Sequence, residues 1–84
     1  MKVQLFTTVG CHLCEEALAL LNALVDSGYA MEIEEVDIAD SETLMERYGI
    51  RIPVIKVIDH DDELGWPFDI QQLQTFLLTQ EHLE

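Results

Sequence analysis

The sequence predicts an α/β fold of the order β-α-β-α-β-β-α, in which a four-stranded mixed sheet is flanked by three helices. Three observations support this fold class. Strand and helix periodicities alternate over residues 1–50, which favours strands joined by crossover helices. A nearly unbroken β-branched segment at 54–58 is typical of a central strand buried on both faces. An acidic turn at 59–62 then precedes a short strand and a last helix.

The first helix follows a strand that is predicted at residues 2–6, where polar and apolar side chains alternate. From Cys11 to about Ser27, apolar residues recur at spacings of three and four, and Gly28 supplies the stop. The predicted inner face of this helix consists of Leu13, Ala17, Leu20, Leu21 and Leu24.

The remaining elements are predicted from shorter patterns. Apolar residues within 31–38 mark a second strand, and a phase shift midway is compatible with a one-residue bulge. Asp40 or Ser41 is the expected N-cap of a short second helix. The first and second strands should pair in parallel, whereas the third strand and a fourth at about 63–66 are close enough for a hairpin. Asp69 opens the last helix. Its predicted inner face is Ile70, Leu73, Phe76 and Leu77.

Charge and composition narrow the classes of partner. Seventeen acidic residues against four basic ones give a formal charge of −13, which opposes binding to nucleic acid, to anionic membranes and to small anionic substrates. A basic protein partner would be attracted instead. No apolar stretch approaches the roughly 20 residues of a membrane span, and residues 1–6 lack the features of a signal peptide. We therefore expect one cytoplasmic, monomeric domain over residues 1–84, without membrane or nucleic-acid partners.

The reactive candidate is the CxxC dithiol at residues 11–14, at the predicted start of the first helix. A spacing of three places both sulfurs on one face of the first turn, close enough to bridge. Free backbone N–H groups and the positive end of the helix dipole favour a thiolate at Cys11, whose thiol pKa should fall below about 8.5. Glu15 and Glu16 oppose an anion there, so the expected shift is moderate. Cys14, one turn deeper, is the natural resolving thiol.

Metal binding is the main alternative chemistry for two cysteines at this spacing. Zinc in a closed structural site needs four ligands, and the remaining candidates are His12, His60 and His82, with no second CxxC pair. An iron–sulfur cluster shared between two chains would need only two thiolates from each. A CxxC without any chemistry is a third alternative. The position at a helix start favours redox chemistry over all of these, and no metal is expected.

These residues resemble the glutaredoxin-like branch of the thioredoxin fold, particularly its small glutaredoxin-like domains. The resemblance covers nearly the whole chain. It rests on residues 7–14 after the first strand, on Ile52-Pro53-Val54 before the third, and on the terminal helix. It implies a thioredoxin-like/glutaredoxin-like fold, a cis Ile52–Pro53 bond and a proline loop that lies against the dithiol.

The same resemblance implies which residues bind a substrate. Because Pro53 has no N–H, the backbone of Ile52 is expected to be free to pair with a substrate peptide or a thiol ligand. Arg51 is the candidate positive charge near Cys11, with an ordinary surface ion pair as the alternative. The substrate-binding residues indicated in this way are His12, Leu13, Arg51, Ile52, Pro53 and Asp69.

Two departures from the family pattern bear on activity and on glutathione binding. Glutaredoxins usually carry Cys-Pro-Tyr-Cys, whereas the middle pair here is His12-Leu13. Glutaredoxins also have a Gly-Gly pair followed by an Asp that binds the backbone ends of glutathione. Gly65 and Asp69 match that pattern, but Trp66 replaces the second glycine, and a bulky side chain opposes close approach of a ligand to the backbone. An N-cap role is the alternative explanation of Asp69.

We therefore predict a thiol–disulfide oxidoreductase in which Cys11 attacks a partner disulfide and Cys14 resolves the mixed disulfide. The expected partners are a disulfide-containing protein or a small thiol, with a reductase or glutathione as electron donor and no bound cofactor. Two alternatives stay open. One is a glutathione-dependent glutaredoxin that needs only Cys11, and the other is a non-catalytic module that binds metal or a protein through the same loop.

Overall fold

The predicted order of elements is present in the computed structural model, which describes residues 1–81. The strands are β1 (Lys2–Thr7), β2 (Glu32–Asp37), β3 (Val54–Val57) and β4 (Glu63–Gly65). The helices are α1 (His12–Asp26), α2 (Glu42–Tyr48) and α3 (Ile70–Glu81), and a 3-10 turn, Ile38–Asp40, lies between β2 and α2. The bounds of the strands and of α1 lie within one residue of the predicted ones.

The sheet is mixed, with the strand order β2-β1-β3-β4. β1 pairs in parallel with β2, and β3 pairs antiparallel with β1 and with β4, which confirms the predicted parallel pair and hairpin. The β1–β2 register runs unbroken from Lys2 opposite Glu32 to Thr7 opposite Asp37, so the suggested bulge is wrong. β2 is an edge strand in which no residue is fully buried. Its side chains therefore do not have to alternate strictly between apolar and polar.

The larger core lies on the face of the sheet that is packed by α1 and α3. Its buried members are Val3, Leu5, Ala17, Leu21, Leu24, Ile55, Val57, Phe68, Leu73 and Leu77, with Leu20 and Phe76 packed against them. The prediction that Leu13 and Ile70 lie on the inner faces of their helices is wrong, because Leu13 is 43% and Ile70 is 41% exposed. Both lie in the first turn of a helix, before its buried face begins at Cys14 in α1 and at Leu73 in α3.

A smaller core lies on the opposite face, beneath α2. Phe6 and Val54 pack there against Ile38 and Tyr48. The rings of Phe6 and Tyr48 are stacked with their centroids 4.4 Å apart. Since Tyr48 is the last residue of α2, this contact anchors the point at which the chain leaves the helix for β3.

The helix ends follow the predicted capping chemistry. Ser41 Oγ accepts a hydrogen bond from the Leu44 N–H at 3.3 Å, so Ser41 rather than Asp40 is the N-cap of α2. Gly28, just after α1, has a φ of +107°, a left-handed conformation that glycine adopts readily. Among residues 1–81, no helix combines the length and the apolar character that would be needed to cross a bilayer.

Candidate active site

The dithiol lies in the turn that joins β1 to α1. The Cys11 N–H donates to the Thr8 carbonyl at 3.3 Å. Between them Gly10 adopts a φ of +83°, where any other side chain would be strained. Cys11 itself is extended, with φ −81° and ψ 102°, and it is the N-cap of α1. The local sequence thus ends the strand, reverses the chain and starts the helix at the first cysteine.

Both sulfurs converge at this helix start, as their spacing predicted. Cys11 and Cys14 form a disulfide, and their Cα atoms are 5.2 Å apart. Cys11 Sγ accepts a hydrogen bond from the Cys14 N–H at 3.2 Å, one of the donors that has no partner within the helix. Cys14 is only 3% exposed, whereas Cys11 is partly exposed. An incoming group therefore meets Cys11 first.

The other side chains of the first helical turn point to solvent. His12 Nδ1 lies 3.5 Å from Glu15 Oε2, with the two side chains 88% and 77% exposed. Leu13 and Glu16 are exposed as well. A protonated His12 would favour a thiolate at Cys11, while the carboxylates of Glu15 and Glu16 would oppose it. A single protonated His12 would offset only part of the negative charge of these two carboxylates.

An acidic groove beside the disulfide was not predicted. A cavity of about 180 Å³ is lined by Thr7, Thr8, Val9, Gly10, Cys11, Cys14, Glu15, Leu18 and Glu35. It continues into a more open depression lined by Thr7, Thr8, Val9, Glu35 and Asp37. Glu35 and Asp37 reach the groove because β2 runs parallel to β1, which brings the carboxyl ends of both strands to one edge. Ligand sites usually form at that edge in α/β sheets. Applied to the sequence, this rule could have identified Glu35 and Asp37 as groove residues.

The loop before β3 enters the sheet at the same end as the dithiol. Val54 pairs with Phe6, so Pro53 comes next to the end of β1, from which the dithiol turn departs. The Ile52–Pro53 bond is cis, as the resemblance implied. The expectation of a free Ile52 backbone is wrong for its N–H, which donates to the Tyr48 carbonyl at 3.1 Å. The turn after α2 uses that donor, and the pairing of a ligand with the rest of the Ile52 backbone stays a prediction.

Arg51 forms an ion pair with Glu63. A surface ion pair was the alternative to the expectation that Arg51 provides a positive charge near Cys11. Arg51 Nη2 lies 3.1 Å from Glu63 Oε1, and Arg47 Nη2 lies 3.6 Å from Glu63 Oε2. The Tyr48 hydroxyl donates to the same carboxylate, and both guanidinium groups lie over the Tyr48 ring, 5.4 and 5.5 Å from its centroid. We call these four residues the Glu63 cluster. The role of Arg51 as a charge near Cys11 stays a prediction.

The Glu63 cluster shifts two pKa values. Burial alone would raise the pKa of Glu63, but hydrogen bonds from Tyr48 and Arg51 and the charges of both arginines outweigh it, so the pKa is lowered. Burial, together with the hydrogen bond to Glu63 and the charge of Glu63, raises the pKa of Tyr48. The cluster thus joins a carboxylate to a neutral phenol at neutral pH, and it ties β4 to the loop that leads into Pro53.

Asp69 and Trp66 both have structural partners near the start of α3. Asp69 Oδ1 accepts from the Gln72 N–H at 2.8 Å, and Gln72 Oε1 accepts from the Asp69 N–H at 2.9 Å, which is a reciprocal capping box. Trp66 packs edge-on against buried Phe68, with ring centroids 5.0 Å apart. The Trp66–Pro67 bond is also cis, which was not predicted. The N-cap explanation of Asp69 is confirmed, and its ligand-binding role stays a prediction.

Comparison with known proteins identifies the family. The model of the glutaredoxin-like domain (DUF836) matches residues 2–78. The chain belongs to this family. The structural genomics target XcR50 from X. campestris is 32% identical, with a TM-score of 0.77 over 92% of this chain and 96% of that one. Protein Ne2328 from Nitrosomonas europaea is also 32% identical, with a TM-score of 0.75 over 89% of this chain and 88% of that one. No curated protein is significantly similar.

A more distant likeness concerns the fold alone. Thioredoxin 1 from Thermosipho africanus TCF52B is 15% identical, with a TM-score of 0.70 over 99% of this chain and 97% of that one. This glutaredoxin-like domain therefore has the predicted thioredoxin-like fold, with a four-stranded mixed sheet and three helices.

The two described histidines of this glutaredoxin-like domain, His12 and His60, lie at opposite ends of the sheet. Within residues 1–81, no three His, Cys, Asp or Glu side chains are grouped as a metal site would require. His12 adjoins the dithiol, whereas the His60 N–H bonds the Val57 carbonyl in the turn after β3. Val57 pairs with Val3, so that turn lies at the opposite end of the sheet. His82 lies outside the described residues.

Proposed function

We propose that this domain is a thiol–disulfide oxidoreductase in which Cys11 is the nucleophile and Cys14 the resolving thiol. The observation that carries the proposal is the disulfide at the N-terminus of α1, with a partly exposed Cys11 and a buried Cys14. The Cys14 N–H that reaches Cys11 Sγ would stabilise a thiolate there after reduction. Two cysteines in such unequal environments are suited to separate roles in attack and resolution.

In the reduced state, the Cys11 thiolate attacks one sulfur of a partner disulfide, and the other partner sulfur leaves as a thiolate. Cys14 then loses its proton and attacks Cys11 Sγ in the mixed disulfide. This step releases the second partner thiol and restores the Cys11–Cys14 disulfide. The partner gains two electrons and the domain loses two. A low-molecular-weight thiol or a dithiol protein must reduce the domain before the next turnover.

The same site favours this dithiol route over a glutathione-dependent route through Cys11 alone. Trp66 stands where glutaredoxins have a second glycine, and its ring packs against Phe68. Asp69, which would bind a backbone end of glutathione, is engaged in the capping box. Glutathione carries a net negative charge at neutral pH, and the formal charge of −13 opposes its approach.

Variants with a single cysteine separate the two routes. Cys11→Ser should abolish the reduction of any disulfide, because the nucleophile is lost. Cys14→Ser should accumulate a mixed disulfide between Cys11 and a peptide disulfide, and it should lose turnover with glutathione mixed disulfides. Intact-mass spectrometry detects the trapped species, and release of the peptide thiol gives the rate.

Two results would count against this assignment. A Cys14→Ser variant that reduces glutathione mixed disulfides at the wild-type rate would indicate the glutathione route. The pH dependence of Cys11 alkylation in the same variant gives the Cys11 thiol pKa, which is expected below about 8.5. Alkylation as slow as that of a buried thiol at all pH values would remove the redox role itself.

A further inference from the structure

Large exposed apolar side chains lie at the dithiol end of the sheet. Val9 is 90% exposed and Leu13 is 43% exposed, and both flank Cys11 in the chain. We call Val9 and Leu13, the two exposed apolar neighbours of Cys11 in the chain, the apolar rim. Apolar side chains beside a reactive sulfur favour contact with a macromolecule over contact with a small polar thiol.

The groove beside the disulfide adds negative charge to this end of the molecule. Glu35 and Glu15 line it together with Cys11, and its continuation adds Asp37. Glu35 makes no ion pair within residues 1–81, and one oxygen of Asp37 only caps the following 3-10 turn. Carboxylates that border a reactive sulfur concentrate cationic partners there and repel anionic ones.

The basic residues of the domain do not offset these carboxylates. Lys2 Nζ lies 3.3 Å from Glu34 Oε2, and Lys2 begins β1 at the opposite end of the sheet. Both arginines are held in the Glu63 cluster. Lys56 belongs to β3 and pairs in register with Glu63 and Gln4, away from the groove. The four basic residues of the chain therefore leave the carboxylates of Glu35 and Asp37 without a cationic partner within residues 1–81.

We propose, building on the function proposed above, that the substrate is a disulfide in a cationic segment of a partner protein. A lysine or arginine beside the reacting partner cysteine enters the groove next to Glu35 and Asp37. An apolar neighbour of that cysteine rests on the apolar rim. The exchange chemistry is unchanged, and the new element is the charge and size of the partner.

The test uses three symmetrical peptide disulfides that differ only at the two residues flanking the cysteine: lysine, serine or glutamate. The domain is reduced with dithiothreitol, desalted and mixed with each peptide, and the second-order rate of exchange is measured. Each rate is divided by the rate of dithiothreitol with the same peptide, because flanking charges also change the leaving thiol. We expect the normalised lysine-to-glutamate ratio to be about 10 or more at low salt and to fall towards 1 at about 1 M salt.

Two charge-reversal variants locate the effect in the groove. Glu35→Lys should lower the lysine-to-glutamate ratio several-fold. Glu32→Lys is the matched control, because Glu32 is an exposed residue of the same strand, opposite Lys2 at the far end of the sheet. Its ratio should stay close to that of the unmodified domain. Thermal unfolding of both variants reports whether they remain folded.

The outcomes distinguish this proposal from the function on which it rests. If the serine peptide exchanges but the normalised lysine-to-glutamate ratio at low salt is near 1, the proposal of a cationic partner is rejected and the proposal of an oxidoreductase is retained. The cationic partner is likewise overturned if Glu35→Lys and Glu32→Lys change the ratio equally. If no peptide exchanges at all, the proposed function fails and this inference fails with it.

Discussion

The two faces of the sheet are joined to their helices by different chemistry. Ten buried apolar residues connect one face to α1 and α3. On the other face, four buried apolar residues form the smaller core beneath α2. The polar Glu63 cluster adds hydrogen bonds and ion pairs between α2, the loop after it and β4. One face is therefore held mainly by burial of apolar surface, and the other depends in part on hydrogen bonds and charges.

This difference corresponds to what each face carries. Cys14 begins the buried stripe of α1, followed by Ala17 and Leu21, so the thiol that we propose as the resolving one belongs to the apolar core. The loop before Pro53 is instead tied to β4 through Arg51 and Glu63. We infer that the position of the dithiol depends on packing, whereas the position of the proline loop depends on polar contacts that respond to pH.

The largest expected effect comes from the apolar face. Leu21→Ala removes a side chain that is fully buried and should lower the free energy of unfolding by about 3 kcal/mol, through lost burial and the cavity left behind. Leu44→Ala makes the same change on the α2 face, where Leu44 is only partly buried, and should cost about 1 kcal/mol. Urea unfolding of both variants with the disulfide intact measures the difference. Equal costs would remove the distinction between the faces.

The apolar packing of α1 could be predicted from the sequence, because an apolar stripe of period 3.6 depends only on residues close together in the chain. The same periodicity failed at Leu13 and Ile70, which lie in first turns that precede the buried face. Local spacing also predicted the convergence of Cys11 and Cys14. In each case the information lies within one or two helical turns of the chain.

The α2 side could not be predicted in the same way. Tyr48 and Glu63 are 15 residues apart, and their contact depends on how α2 packs against β4. Spacing along the chain does not determine that packing. Glu35 and Asp37 likewise enter the groove only through the pairing of β2 with β1. The cis Ile52–Pro53 bond was expected from the family resemblance, whereas periodicity alone gives no indication of it.

A smaller effect is expected from the polar contact itself. Tyr48→Phe keeps the ring stacked on Phe6 but removes the donor to Glu63, and should cost about 2 kcal/mol because the acceptor is a partly buried carboxylate. Tyr29→Phe is the matched control, since the Tyr29 hydroxyl has no hydrogen-bond partner within residues 1–81. It should be close to neutral in the same urea unfolding experiment. A similar cost for both variants would mean that losing a tyrosine hydroxyl costs the same with or without a partner, and that the contact with Glu63 adds no stability.

The pH dependence of this effect has a definite sign. Folding lowers the pKa of Glu63 below its ordinary value of 4.5, so the carboxylate stabilises the fold above that pH. Its contribution is lost as the pH falls through the lowered pKa. Removal of the Tyr48 donor brings the folded pKa back towards its ordinary value, so Tyr48→Phe has less stability to lose in acid. The gap between the wild type and Tyr48→Phe should therefore be widest at neutral pH and should narrow below pH 4.5.

The smallest expected effect concerns the start of α3, where a structural and a ligand-binding role of Asp69 compete. Asp69→Ala removes half of the capping box and should cost about 1 kcal/mol, while Asp69→Ser, which can still cap the helix, should recover most of it. If capping is the whole role, both variants exchange with the lysine peptide and with glutathione disulfide at the rates of the unmodified domain. A loss of exchange that is specific to glutathione disulfide and is not restored in Asp69→Ser would instead assign the carboxylate to ligand binding. In that case the dithiol end would have two partners, with the cationic segment at the groove and the small thiol at the start of α3.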